Sequence, residues 1–122
     1  MTSSPAEAPL FDPSAIEKLR AVAGDEADSF VKEMVQLFLE ETLKSVAEIR
    51  RAADAKEWRV VMRAAHSLKS SAATLGLMRF SAACKALELD TKDGAETPLT
   101  LPLTRSVFDQ FEATKGTLQS LA

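Results

Sequence analysis

Apolar side chains recur at intervals of three and four residues along most of this chain, and nowhere alternate as a half-buried strand requires. Asp12 suits a helix N-cap with Pro13 in the first helical position, and Phe11 and Ile16 sit where a hydrophobic staple places its partners. That short helix is expected to end at Gly24. A second, much longer helix runs from Asp25 to about Ala53, with Val31, Met34, Val35, Phe38, Val46 and Ile49 on one broad stripe. Leu37 and Leu43 fall off the stripe on opposite flanks, either covered by a third neighbouring helix or free for docking. Asp54 and Glu57, spaced like a capping box, open the third helix. Its apolar positions Trp58, Val61, Ala65, Leu68, Ala72 and Leu75 keep a strict 3–4–3–4 rhythm that defines a buried seam. Gly76 follows at once, where a left-handed closing residue is expected.

A fourth helix over residues 77–89 carries Leu77, Phe80, Cys84 and Leu87 on one face. Residues 90–101 contain Gly94 and Pro98 and read as a loop longer than most bundle connections. A last helix from about Pro102 buries Leu103, Val107, Phe111, Leu118 and Leu121. Short links make consecutive helices antiparallel, so the pattern predicts an all-α fold: an up-down-up-down four-helix bundle with an additional short N-terminal helix capping one end or side. Residues 1–10 read as a flexible leader and 11–122 as the bundle domain.

Composition narrows what such a bundle does. The 122 residues suffice for one domain with a real core, and no tyrosine and only four glycines suit a helical chain. A net charge of −3 weighs against nucleic-acid binding. One Cys and one His exclude an internal disulfide and leave too few ligands for a zinc site. The first ten residues hold no Arg or Lys and no apolar run, so they are no secretory signal, and no stretch approaches the ~20 apolar residues of a membrane span. A cytoplasmic domain is expected, and the short leader after Met1 suits a stand-alone protein.

The one histidine, His66, lies about 130° from the centre of the seam at ~100° per residue, and therefore points outward. Arg59, Met62, Arg63, Lys69, Ser70 and Ala73 share its side of the helix through i±3, i±4 and i±7 spacing. Between Lys56 and Lys69, four cations oppose the single acid Glu57, a local +3 in a −3 chain. The plain account is a solvated face that happens to carry an imidazole. Against it stand the cations clustered against the overall sign, and the small Ala64, Ser67, Ser70, Ser71 and Ala73 that clear space around the ring. Space and positive charge suit a nucleophile that meets a bulky anion. Lys69 and Arg63 are expected to favour the neutral ring, whose free nitrogen is nucleophilic. Cys84 reads as a small core residue, Trp58 as core, and Glu40 with Glu41 as a solvated face.

The block from Ala65 to Gly76 (AHSLKSSAATLG) resembles the signature of histidine-containing phosphotransfer (HPt) domains, and the likeness extends in helix order from about Asp12 to Leu121. The chain departs from the pattern at Ser70, where the family usually has glycine directly after the lysine. The resemblance implies a phospho-accepting His66 with Lys69 near the phosphoryl oxygens, and a partner surface drawn from Arg59, Met62, Arg63, Ser70 and Ala73. It implies response-regulator receiver domains and a hybrid histidine kinase as partners, with Mg²⁺ supplied by the receiver and no cofactor of the chain's own. No phosphate-cradling G-x-x-x-x-G-K-[ST] loop or kinase loop is present, so no ATP site of its own is expected. A monomer is expected. The competing readings are a non-catalytic helical scaffold, and the phospho-accepting N-terminal module of a larger chemotaxis-type kinase.

Overall fold

Three chain reversals set the architecture, and each is closed by local hydrogen bonds. The computed structural model describes residues 8–121, and the expected leader lies outside them except for residues 8–10. The elements are α1 (Pro13–Ala23), a single 3₁₀ turn (Gly24–Glu26), α2 (Ala27–Asp54), α3 (Trp58–Thr74), α4 (Met78–Thr91) and α5 (Thr100–Leu121). Among the described residues there is no strand. Neighbours pack in the cycle α2–α3–α4–α5–α2, with α1 laid on α2, as the helical stripes predict.

Asp12 caps α1 as expected, accepting from the Ser14 backbone N–H at 3.0 Å with Pro13 following it. The 3₁₀ turn takes up Asp25 and Glu26, so α2 begins two residues later than the sequence suggests. The expected capping box at Asp54 does not form. Asp54 closes α2 instead, and the Glu57 carboxylate accepts from Arg51 Nη2 at 3.2 Å, a charge-assisted bond that outcompetes a neutral backbone donor.

The α2–α3 and α3–α4 reversals are built alike. Glu57 N–H reaches back to the Ala52 carbonyl at 2.8 Å around a left-handed Lys56 (φ 59°), and Leu77 N–H reaches the Ala72 carbonyl at 2.9 Å around a left-handed Gly76 (φ 79°). Lysine is tolerated at the first because the position is open and its ammonium pairs with Glu96 at 3.7 Å. Glycine is required at the second, because a Cβ there would stand 2.3 Å from the Asp12 carbonyl oxygen. Asp12 N–H donates to the Gly76 carbonyl at 2.7 Å, so α1 is docked against this turn and caps that end of the bundle. Arg79 Nε holds the Ala8 carbonyl nearby at 2.9 Å.

The α4–α5 connection is shorter than expected, residues 92–99. Thr97 and Thr100 form a reciprocal N-cap around Pro98: Thr97 Oγ1 accepts from Leu99 N–H at 3.1 Å, and Thr97 N–H donates to Thr100 Oγ1 at 2.8 Å. Asp90 accepts from both hydroxyls at 2.5 Å, which extends both helices past the sequence-derived limits.

Phe80 is the centre of the core. It meets Phe38 edge-on with ring centroids 6.4 Å apart and Phe111 at 5.8 Å, joining α2, α4 and α5. The Trp58–Leu75 seam is buried throughout. Cys84 is fully buried, and desolvation pushes its thiol up to about 12, so it is an inert core residue. Leu37 and Leu43 are 55% and 53% exposed, so none of the described helices covers them. Leu103 and Leu121 are only half-buried. Thr91, Thr104 and Thr114 lie deeper, each hydroxyl donating to the carbonyl four residues back.

Gly76→Ala is expected to lower stability by about 2 kcal/mol or more, from left-handed strain of ~1–2 kcal/mol plus displacement of the Asp12 carbonyl. Urea unfolding measures it, and an unchanged midpoint would remove this turn as a constraint.

Candidate functional site

His66 stands near the middle of α3 with 61% of its side chain exposed, outside the seam as its spacing requires. Two contacts from α4 define its surroundings. Ser81 Oγ donates to the Lys69 carbonyl at 2.9 Å, locking α4 to α3 one turn beyond the histidine. Seven residues on, Glu88 returns to the same place: one carboxylate oxygen pairs with His66 Nδ1, and the other accepts from Lys69 Nζ at 2.6 Å. The Glu88 side chain is 15% exposed. Burial pushes its carboxyl up, but the hydrogen bonds and charges of Lys69 and His66 together outweigh burial and hold it below the ordinary 4.5. A carboxylate only accepts, so Nδ1 is the donor of that pair, and Nε2 is the ring nitrogen left without a partner among the described residues.

The sequence-derived residues separate into two groups. Arg63, one turn before His66, and Ser70 and Ala73, one and two turns after, are exposed beside it, with Met62 half-buried. Lys69 is close but not free: its ammonium is held by Glu88 and its side chain is 29% exposed. Arg59 is drawn away, two turns before His66, and its side chain lies over Gly94, where an added Cβ would stand 3.0 Å from its Cγ. Glu88 was not among the expected residues. The charge nearest the ring is negative, not the positive one that α3 alone suggests.

Beside this patch a cleft of about 380 Å³ runs between α2 and α3, lined by Phe38, Glu41, Ser67, Leu68 and Ser71, with the exposed Leu37 on its rim. Among the described residues no three His, Cys, Asp or Glu side chains converge as metal ligands. None of the described helices is long and apolar enough to cross a membrane.

The helical bundle presents a single outward imidazole on α3, and comparison with known proteins gives the class of module to which it belongs. Residues 33–119 match the Hpt domain family, and the chain belongs to that family. Multistep phosphorelay regulator 1 of Schizosaccharomyces pombe is 28% identical across 70% of this chain, which spans 30% of that relative's length. The fold matches the crystal structure of histidine-containing phosphotransfer protein B (HptB) from Pseudomonas aeruginosa PAO1, with a TM-score of 0.79 at 20% identity, over 93% of this chain and 95% of that one.

Because the Glu88 carboxyl is lowered by folding, its contribution to stability is complete above the ordinary value of 4.5 and lost as pH falls through the lowered one. Glu88→Gln is therefore expected to cost about 1 kcal/mol at pH 7 and less at pH 3. Urea midpoints at both pH values test this, and an equal gap at both would show that the charge does not act.

Proposed function

We propose that this chain is a phosphorelay intermediate in which His66 Nε2 accepts a phosphoryl group from a receiver-domain phospho-aspartate, or from a histidine kinase, and passes it to a receiver aspartate. The carrying observation is the division of labour on the ring: Glu88 occupies Nδ1, and Nε2 is left as the nucleophile on an exposed imidazole. In the accepting step Nε2 attacks phosphorus, the bond from phosphorus to the aspartyl oxygen breaks, and the carboxylate departs with the electron pair. Lys69 and Arg63 supply positive charge to the phosphoryl oxygens.

The receiver brings the Mg²⁺ site and the acidic pocket, and this chain binds no nucleotide and needs no cofactor. It works as a cytoplasmic monomer that docks receivers through Met62, Arg63, Ser70 and Ala73. Arg59, turned onto Gly94, borders that face rather than centring it. A scaffold role would leave the braced, outward imidazole without a purpose.

His66→Gln is expected to keep the helical circular dichroism and lose all acid-labile, base-stable phosphate after mixing with a phosphorylated receiver domain. Phosphate retained by the variant would move the acceptor elsewhere. Ser70→Gly is expected to lose about 0.5–1 kcal/mol of stability, because glycine loosens a helix interior, while transferring faster by letting the receiver approach. Thermal melts and stopped-time transfer assays measure both. A slower transfer with a shorter-lived phospho-form would instead give the Ser70 hydroxyl a hydrogen bond to the phosphoryl group.

A further inference from the structure

The cleft of about 380 Å³ between α2 and α3 has no part in the phosphoryl chemistry, and His66 does not line it. Its floor reaches the core, where Phe38, Leu68 and Leu75 are all buried. Its α3 wall consists of short side chains that turn their polarity onto their own helix. Ser71 Oγ donates to the Ser67 carbonyl at 3.2 Å, and Thr74 Oγ1 donates to the Ser70 carbonyl at 3.1 Å. What remains facing the space is largely hydrocarbon, at a volume in the lower range of small-molecule sites.

Two polar residues of α2 interrupt this apolar lining. Thr42 is only 1% exposed, yet its hydroxyl has no hydrogen-bond partner among the described residues. The buried Thr91, Thr104 and Thr114 each donate to the carbonyl four residues back, so Thr42 departs from the habit of its own chain. An unpaired buried hydroxyl costs stability that a valine of the same shape would not. Beside it in sequence, Glu41 is the one ionisable side chain lining the cleft. Its ion pair with Lys44, at 3.8 Å between two well-exposed side chains, is too loose to hold it. We propose that the cleft binds a small amphipathic cation. An apolar body of one ring lies on the Phe38, Leu68 and Leu75 floor, its ammonium group pairs with the Glu41 carboxylate, and an oxygen on the ring accepts from the Thr42 hydroxyl.

The sign of the ligand follows from the lining. No Lys or Arg lines the cleft, so an anion brought into it would meet Glu41 without a counter-charge. A neutral ligand would cover the same floor but leave the carboxylate unpaired at its edge. Size limits the body in turn, since the space admits one ring with a short arm and no large polycyclic. The exposed Leu37 on the rim adds apolar surface for that arm to lie against on its way to Glu41. The site asks nothing of the imidazole, and it stands whether or not His66 accepts phosphate.

Matched one-ring probes separate the contributions. Tyramine carries the ring, the ammonium group and a phenolic oxygen; phenethylamine lacks the oxygen; para-hydroxyphenylacetate has a carboxylate in place of the ammonium. In ¹H–¹⁵N spectra of the full chain, tyramine should move the amide signals of Leu37, Thr42, Ser67 and Ser71 with a Kd on the order of 1 mM. Phenethylamine should bind about 3-fold more weakly, and para-hydroxyphenylacetate at least about 10-fold more weakly. Glu41→Gln should weaken tyramine about 10-fold at an unchanged melting temperature. Thr42→Val should raise the melting temperature, because the unpaired hydroxyl is gone, and bring tyramine down to the affinity of phenethylamine. A merely structural Thr42 would move the melting temperature and leave the difference between the two amines intact, which would strike its role. If tyramine and para-hydroxyphenylacetate bind alike, or if these signals move only with a receiver domain, the cleft is no cation site and the proposal is overturned. No phosphate enters these measurements, so their outcome is separate from that of the phospho-acceptor reading.

Discussion

Everything at the site depends on the left-handed turn at Gly76. The reversal over residues 75–77 sends α4 back along α3 in one register, which puts Ser81 on the Lys69 carbonyl and Glu88 beside the Lys69 and His66 side chains. The residues that meet lie at comparable distances either side of the turn, so a shift of one residue in α4 would rotate Glu88 by ~100° off the site. The turn is fixed twice, by its own hydrogen bonds and by Asp12, whose docking on the Gly76 carbonyl leaves no room for a side chain. The short N-terminal helix thus bears on the chemistry through its cap, although it contributes no residue there.

Much of the fold was legible because its signals are local. Asp12 with Pro13, the Trp58–Leu75 rhythm and the closing Gly76 each act within a turn or two of themselves, and the structure has them as written. The misread boundaries at the α2–α3 and α4–α5 connections share one cause: a polar side chain had a partner better than the adjacent backbone. Glu57 spends its carboxylate on Arg51, one turn back along α2 and across the reversal, and Asp90 gathers Thr97 from the loop and Thr100 from α5. The threonines of the core were hidden for a related reason. A hydroxyl that donates to the carbonyl four residues back is already satisfied, so Thr91, Thr104 and Thr114 pack as apolar residues while being counted as polar.

The site was legible by half. Helical spacing alone places His66 outside the seam, with Arg63, Lys69 and Ser70 around it, because all lie on one helix with one period. It could not supply Glu88. That residue is separated from His66 by 22 positions, and α4 offers little contrast between faces in its sequence, since the polar Ser81 and Thr91 are buried while Leu89 is exposed. Nor does charge counted along a single helix reveal what a neighbouring helix adds. The +3 of α3 is real as a sum, yet Lys69 spends its charge on an acid from α4.

That spending explains how an exposed imidazole stays oriented. A histidine with most of its surface in water has no packing to hold its ring, and a hydrogen bond to a mobile surface acid would cost both partners side-chain freedom. Here the acid is already immobile, because Glu88 is largely withdrawn from solvent and tied to Lys69, which is itself partly buried. Burial is borne by the carboxylate and lysine, whose charges offset one another, while the nucleophilic edge of the ring remains accessible to a partner as large as a domain. Orientation and exposure usually oppose each other in a side chain. The Lys69–Glu88 pair lets His66 have both.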